Sequence, residues 1–282
     1  MQFLTSLWLI IAAITTVVAA IPASGSSPIS LKGSRSGTRS SSPKAAGERV
    51  PEHLELQRDS SFHLASNADK NFRTSTVFTT QLELSQPVEQ VTDNQLVQIG
   101  IDAFKELQAA YPNKNGKPDR NMPHVITVLA SGQSIYIASS VRGGYNYVKT
   151  QCAPPHPLGD AIQRLSDETG ANAPTPEHPT LNHANYAACG EIMTMAMYFK
   201  KNGLASRTIS GRILAVQLSR ADGDIVMKRP CDPIQDKKKT GTFGCKANNP
   251  ALGVTDIKMG TKPAPYTLAG IRARVVTSPS LC

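Results

Sequence analysis

The feature that most constrains the fold is an apolar helical pattern at residues 187–203. Its large apolar residues recur at intervals of three and four, as on the buried face of a helix: Ala188, Ile192, Met195 and Phe199. Two lysines and then Gly203 follow, a sequence typical of a helix end. The pattern therefore predicts a largely buried helix.

Two chemically reactive residues lie at the N-terminal end of this predicted helix. Cys189 and Glu191 are separated by one glycine, and the positive end of a helix dipole favours a thiolate and a carboxylate there. A free cysteine in a buried helix is by itself ordinary. Further along the chain, a strand-like run at residues 211–218 leads to Pro230 and Cys231, and Cys245 follows.

The N-terminal part of the chain divides into two segments. Residues 1–20 carry no charge and end in small residues, which predicts a secretory signal peptide and a secreted, extracellular protein that leaves the membrane after cleavage. An uncleaved membrane anchor is the alternative. Residues 21–81 are rich in Ser, Gly and Pro, so we predict a disordered leader or propeptide. Residues 82–282 are then left for one domain.

Helix and strand patterns alternate in this domain. A capping box at residues 92–95 starts a helix that ends near Pro112, and the runs at 124–130 and 135–138 predict a hairpin. The central helix follows, then strands at 213–218 and 225–228, and finally strands at 254–259 and 271–276. This order predicts a three-layer α/β domain with a mixed central β-sheet flanked by helices.

Cys189-Gly190-Glu191 at the start of the second major helix, and Pro230-Cys231 after the third strand, resemble the zinc-dependent cytidine deaminase-like superfamily. The chain is most similar to the secreted toxin-type, YwqJ-like branch. The resemblance covers residues 93–259. It implies a deaminase-like fold and a secreted zinc-dependent hydrolase that deaminates a nucleobase, either free or in nucleic acid, as a toxin or effector.

The resemblance also implies roles for particular residues. Cys189, Cys231 and Cys245 would bind Zn²⁺ and leave the fourth tetrahedral position to water. The zinc-bound water would attack the carbon that bears the amine, with Glu191 as the proton shuttle. His183 and Asn185 precede the helix and are candidates for substrate binding; an ordinary hydrogen bond from His183 and a helix cap from Asn185 are the alternatives.

One spacing departs from the family pattern. The family has two residues between its second and third cysteines, whereas thirteen separate Cys231 from Cys245. The extra residues include three consecutive lysines, at 237–239, and could form a basic loop beside the pocket. If Cys245 is not a ligand, His183 or Cys152 becomes the candidate.

The chain has five cysteines. Under the deaminase interpretation three bind zinc, and Cys152 and Cys282 form one disulfide. The alternative is two disulfides and one free thiol, for example with Cys231 bonded to Cys245. The chain would then be a disulfide-stabilised, non-catalytic secreted interaction protein.

The net charge of +9 and the pI near 9.4 favour a polyanionic partner such as nucleic acid. Support from aromatic residues is modest, since they make up only 5% of the chain. No His-Glu-x-x-His motif, phosphate-binding glycine loop or dinucleotide fingerprint is present. Deamidation of a protein side chain by the same fold is a further alternative.

Overall fold

The computed structural model describes residues 52–59, 76–111, 119, 121–142, 158–160, 183, 187–203, 205, 207–232, 244–276 and 281. All of them belong to one unit, Arg49–Cys282. The predicted signal peptide, Asn185, and the predicted Cys152–Cys282 disulfide lie outside the described residues. Within those residues the fold is mixed α/β, with an open sheet of eight strands and flanking helices.

Eight strands form the sheet: β1 Gln57–Arg58, β2 Phe78–Leu84, β3 Val125–Ser131, β4 Ser134–Ser139, β5 Gly211–Leu218, β6 Ile225–Lys228, β7 Val254–Asp256 and β8 Ala273–Val276. They are ordered β1-β2-β4-β3-β5-β6, and β8 also pairs with β2 while β7 also pairs with β5. β5 and β7 are parallel, and the other described pairs are antiparallel. The predicted β3–β4 hairpin is confirmed.

Helix α1 spans Asp93–Ala110 and begins with the predicted capping box. The Thr92 hydroxyl accepts a hydrogen bond from the Gln95 backbone at 3.3 Å, and the Gln95 side chain accepts one from the Thr92 backbone at 3.0 Å. Helix α2 spans Gly190–Asn202 and is the central helix of the sequence pattern. Helix α3, Cys245–Ala251, carries no amphipathic pattern and is a feature that the sequence did not predict.

The two long helices pack on opposite faces of the sheet. Because side chains alternate along a strand, Ile126 and Val128 of β3 pack with Phe104 of α1, whereas Leu129 packs with Met193 and the rest of α2. Burial of each such large apolar side chain contributes about 1.5–3 kcal/mol. The result is a helix–sheet–helix arrangement. No helix among the described residues is long and apolar enough to cross a membrane.

The domain begins earlier in the chain than predicted. β2 starts at Phe78, inside the segment predicted as a leader, and Leu54 is fully buried. The Thr80 hydroxyl donates to the Leu54 carbonyl at 2.6 Å, and the Glu106 carboxylate accepts from the Leu56 backbone at 2.8 Å. The prediction failed because β2 buries polar side chains whose partners lie far away in the sequence.

Candidate metal centre

The start of α2 is held against the sheet by backbone contacts. The Val141 N–H, just after β4, donates to the Ala188 carbonyl at 2.9 Å. Ala187 has a positive φ of 55°, a conformation that is uncommon for a residue with a side chain. Cys189 is then the N-cap of α2 and Glu191 lies in its first turn. Both reactive residues of the Cys-x-Glu motif line the same cavity.

Gly190 is required by packing on the sheet. A Cβ atom at this position would overlap the Thr127 hydroxyl and would lie 3.0 Å from the Thr127 Cβ and 3.2 Å from the Ala138 carbonyl oxygen. The middle residue of the motif therefore has to lack a side chain for α2 to approach β3 and β4 this closely.

The other two cysteines meet despite their separation in sequence. Cys231 follows β6, and Cys245 is the first residue of α3. The Cys245 N–H donates to the Cys231 sulfur at 3.1 Å, and the Lys246 N–H donates to the Cys231 carbonyl at 3.2 Å. The start of α3 is thus fixed on Cys231. The predicted basic loop between the two cysteines lies mostly outside the described residues.

Four donor atoms form one buried cluster. The sulfurs of Cys189, Cys231 and Cys245 and a ring nitrogen of His183 all lie within 4.8 Å of one another. Cys189 Sγ is 3.6 Å from Cys231 Sγ, and Cys245 Sγ is 3.6 Å from His183 Nε2. The cluster could hold a metal ion. His183, which the sequence placed first as a substrate contact and second as a ligand, therefore joins the ligand group.

The three cysteines of the cluster are free thiols. The Cys189–Cys231 separation of 3.6 Å is far longer than a disulfide bond of about 2.05 Å. Hydrogen bonds from Cys189 and then Cys245 lower the pKa of the Cys231 thiol. The bond to Cys231 raises the pKa of Cys189, and burial raises that of Cys245. The three thiols therefore titrate as one interacting group, and a bound cation would displace protons from them to form thiolate ligands.

Glu191 lies beside this cluster and is 4% exposed. Burial, followed by the charge on Cys231, raises the pKa of its carboxyl to about 7. The same side chain lines a cavity of about 1310 Å³, whose wall also contains Cys189 and Cys231. Apolar residues such as Phe104, Met122 and Val141 line other parts of it. The volume exceeds the range of about 300–1,000 Å³ that is common for small-molecule sites.

No protein-family model, curated protein or solved structure matches this chain. The resemblance to zinc-dependent deaminases therefore stays a prediction, and its support comes from the residues of the site.

Proposed function

We propose that this chain is a zinc-dependent deaminase that hydrolyses the exocyclic amine of a nucleobase. The observation that carries the proposal is the position of Glu191. Its buried carboxyl shares one cavity wall with two members of the four-donor cluster, Cys189 and Cys231. A carboxyl that can transfer protons, a cluster that could hold a metal and a large cavity therefore adjoin one another.

The donor distances support zinc as the metal. Zinc–sulfur bonds are about 2.3 Å long and zinc–nitrogen bonds about 2.0–2.1 Å. In a tetrahedral arrangement these lengths separate two sulfurs by about 3.8 Å and a sulfur from a nitrogen by about 3.6 Å. The Cys189–Cys231 sulfur separation is 3.6 Å, close to the first value, and all four donor atoms lie within 4.8 Å of one another. The 3.6 Å between Cys245 Sγ and His183 Nε2 would fit an imidazole in the fourth position instead of water. Thiolates and an imidazole are also the donors that zinc prefers.

The chemistry would divide between the metal and Glu191. Bound zinc would supply Lewis acidity that makes water nucleophilic near neutral pH. Glu191 would accept a proton from the attacking water and return protons to the ring nitrogen and the departing amine. A carbon–oxygen bond forms, the carbon–nitrogen bond breaks, and ammonia leaves. Bound Zn²⁺ would lower the pKa of this carboxyl from its metal-free value of about 7, so that Glu191 would be ionised and ready to accept the water proton near neutral pH.

The order of elements also supports the family resemblance. Helix α1, the β3–β4 hairpin, α2 with its Cys-x-Glu motif, and β5 follow one another as the resemblance implies. Cys231 and Cys245 then reach the motif although thirteen residues separate them. The deaminase-like fold is part of the proposal, as is secretion through the predicted signal peptide, which would suit a toxin or effector.

A closed zinc site that only stabilises the fold is the second candidate. It is favoured by His183, whose Nε2 lies 3.6 Å from Cys245 Sγ and completes a set of four protein donors. Four protein ligands are typical of structural zinc sites, whereas three with an open position are typical of catalytic ones. The chain would then be a non-catalytic secreted interaction protein in which metal ligation takes the place of a Cys231–Cys245 disulfide.

Metal analysis of His183→Ala separates the two candidates. We expect one zinc per chain in the unmodified protein and none in Cys189→Ser, because that variant loses a thiolate ligand. In the catalytic case His183→Ala keeps its zinc, since three cysteines suffice. Loss of zinc together with a lower melting temperature in His183→Ala would favour the structural site. Absence of zinc from protein purified without chelators would reject both.

Ammonia release tests the chemistry itself. Zinc-loaded protein is incubated with cytosine- and adenine-containing nucleosides, nucleotides and single-stranded nucleic acid, and ammonia is quantified. Glu191→Gln should retain zinc and lose activity by about 10²–10⁴-fold, because it cannot transfer the proton. Glu83→Gln, on β2 and outside the cavity, is the matched control and should remain active. Unchanged activity in Glu191→Gln would refute the assigned role.

A further inference from the structure

The cavity beside Glu191 has a strongly basic wall. Among its described lining residues, four are basic and Glu191 is the single acid: the basic residues are His124, Arg142, Arg220 and Lys228. Neither Arg220 nor Lys228 forms an ion pair with another described residue. Such a wall attracts an anionic ligand.

The sheet topology gathers three of these residues at one end. His124 immediately precedes β3, Arg142 follows β4, and Arg220 follows β5. Because β3 is antiparallel to both neighbours, its start lies beside the ends of β4 and β5. The start of α2 is tied to this same end through the bond from Val141 to Ala188. The basic cluster and the metal centre therefore share one rim of the sheet.

Two members of the cluster, His124 and Arg142, are in direct contact. Arg142 Nη1 lies 3.2 Å from His124 Nε2. The Arg142 backbone is fixed by two hydrogen bonds with Thr76, of 3.0 and 3.1 Å. Partial burial, then the charges of Arg142 and Arg220, lower the pKa of His124. Arg142 and Arg220 therefore lie close enough to His124 to disfavour its protonation, although partial burial is the larger cause.

We propose that His124, Arg142 and Arg220 bind phosphate, so that the ligand of the cavity is a nucleoside phosphate, either a mononucleotide or a nucleotide within nucleic acid. The planar guanidinium groups of two arginines suit the oxygens of a phosphate. A neutral nucleoside offers this cluster no negative charge. Only one part of this inference rests on the proposed function, namely that the phosphate belongs to a nucleotide whose base faces Glu191.

Binding of inorganic pyrophosphate tests the cluster without involving the base. We expect calorimetry to detect pyrophosphate binding to the zinc-loaded protein. Salt at about 150 mM screens long-range electrostatic attraction, so that only binding at a defined site is measured. Arg142→Ala and Arg220→Ala should each weaken it about tenfold or more, because each removes a charged hydrogen-bond donor. If Arg142→Ala does not fold, pyrophosphate binding is measured on Arg142→Lys, which keeps the positive charge. Arg207→Ala is the matched control, since Arg207 is exposed and outside the cavity wall.

Nucleotides then test the ligand class. Each nucleoside monophosphate should bind Glu191→Gln protein more tightly than its nucleoside, and the difference should vanish in Arg142→Ala/Arg220→Ala. A short single-stranded oligonucleotide that outcompetes every monophosphate would identify nucleic acid as the source of the phosphate. Monophosphates that bind as well as the oligonucleotide would identify free nucleotides.

The proposal and the deaminase assignment fail in different ways. Phosphate-dependent binding without ammonia release would keep the phosphate site and reject deamination. Ammonia release from nucleosides as fast as from nucleotides would keep deamination and overturn the phosphate site. Two other results would also overturn the phosphate site. If Arg207→Ala weakened pyrophosphate binding as much as Arg142→Ala or Arg220→Ala does, the attraction would be non-specific. If pyrophosphate did not bind at all, there would be no phosphate site.

Discussion

The Cys-Gly-Glu motif needs a glycine in the middle because the sheet leaves no room for a side chain there. Gly190→Ala would place a methyl group against Thr127 and the Ala138 carbonyl, and overpacking of this kind typically costs about 1–3 kcal/mol. We therefore expect a lower free energy of unfolding, measured by urea denaturation, together with weaker zinc retention as Cys189 is displaced.

Gly100→Ala on α1 is the matched control. Its new Cβ would meet chiefly side-chain carbon atoms, the nearest being Leu214 Cδ1 at 3.2 Å, and alanine favours a helix by about 1 kcal/mol over glycine. The free energy of unfolding should change less in Gly100→Ala than in Gly190→Ala. Adding Thr127→Ala to Gly190→Ala should restore part of the loss. No restoration would show that the cost arises elsewhere in α2.

Residues of the site were predictable where the pattern is local. Cys189 and Glu191 stand two positions apart on one helix, so periodicity alone places both at its N-terminal end. The sequence did not predict that His183 belongs to the donor cluster, since no helix or strand pattern gives the path of the five residues between it and Cys189. The basic wall was missed for a related reason, because His124, Arg142 and Arg220 meet only through strand pairing.

Helix α2 is anchored at its other end by a charged bridge. Lys201 Nζ donates to Glu83 Oε1 at 2.7 Å, and Arg274 of β8 donates to Glu83 Oε2 at 2.6 Å. These bonds hold the pKa of Glu83 below its ordinary value of 4.5. The ionised carboxylate therefore stabilises the fold above pH 4.5, and that contribution disappears as pH falls through the lower folded-state pKa.

Glu83→Gln should lower the free energy of unfolding near neutral pH, by no more than about 1 kcal/mol because the pair is partly exposed. The difference from the unmodified protein should shrink in acid. Urea midpoints at several pH values measure this effect. Glu89→Gln, which removes an exposed carboxylate without an ion pair among the described residues, should show no such trend. A Glu83→Gln effect that persists at low pH would contradict an ionic cause.

Elements with a clear period or cap were predictable, and those defined by distant partners were not. The capping box and apolar face of α1, the β3–β4 hairpin and α2 follow from short-range patterns. β2 was missed because its buried groups bond to residues far away in the sequence: the Thr80 hydroxyl donates to the Leu54 carbonyl, and the Phe78 N–H donates to the Ser139 hydroxyl. α3 was missed because a seven-residue segment containing Pro250 gives no helical period.

At the scale of the whole molecule, residues 52–81 should be needed for folding. A chain that begins at residue 82 loses three strongly buried side chains, Leu54, Val77 and Phe78. Each such loss costs about 2–5 kcal/mol, and their sum approaches or exceeds the total stability of about 5–15 kcal/mol of a typical domain. We expect no cooperative thermal transition in this truncated chain.

A chain that begins at residue 49 is the control and should unfold cooperatively, because Arg49–Cys282 forms one unit. Circular dichroism during heating measures both transitions. Cooperative unfolding of the shorter chain would show that β1 and the first half of β2 are not needed for folding.

The contact of Cys189 with Cys231 joins positions 42 residues apart. A metal held between them would act as a reversible cross-link, and closing a loop of this length restricts the unfolded chain by about 4 kcal/mol on the chain-entropy relation for disulfides. Unlike a disulfide, this link would open with a chelator and close again with metal, independent of oxidants. The supply of metal around the protein would then set how long the folded chain survives, whether or not the same four donors also support a reaction.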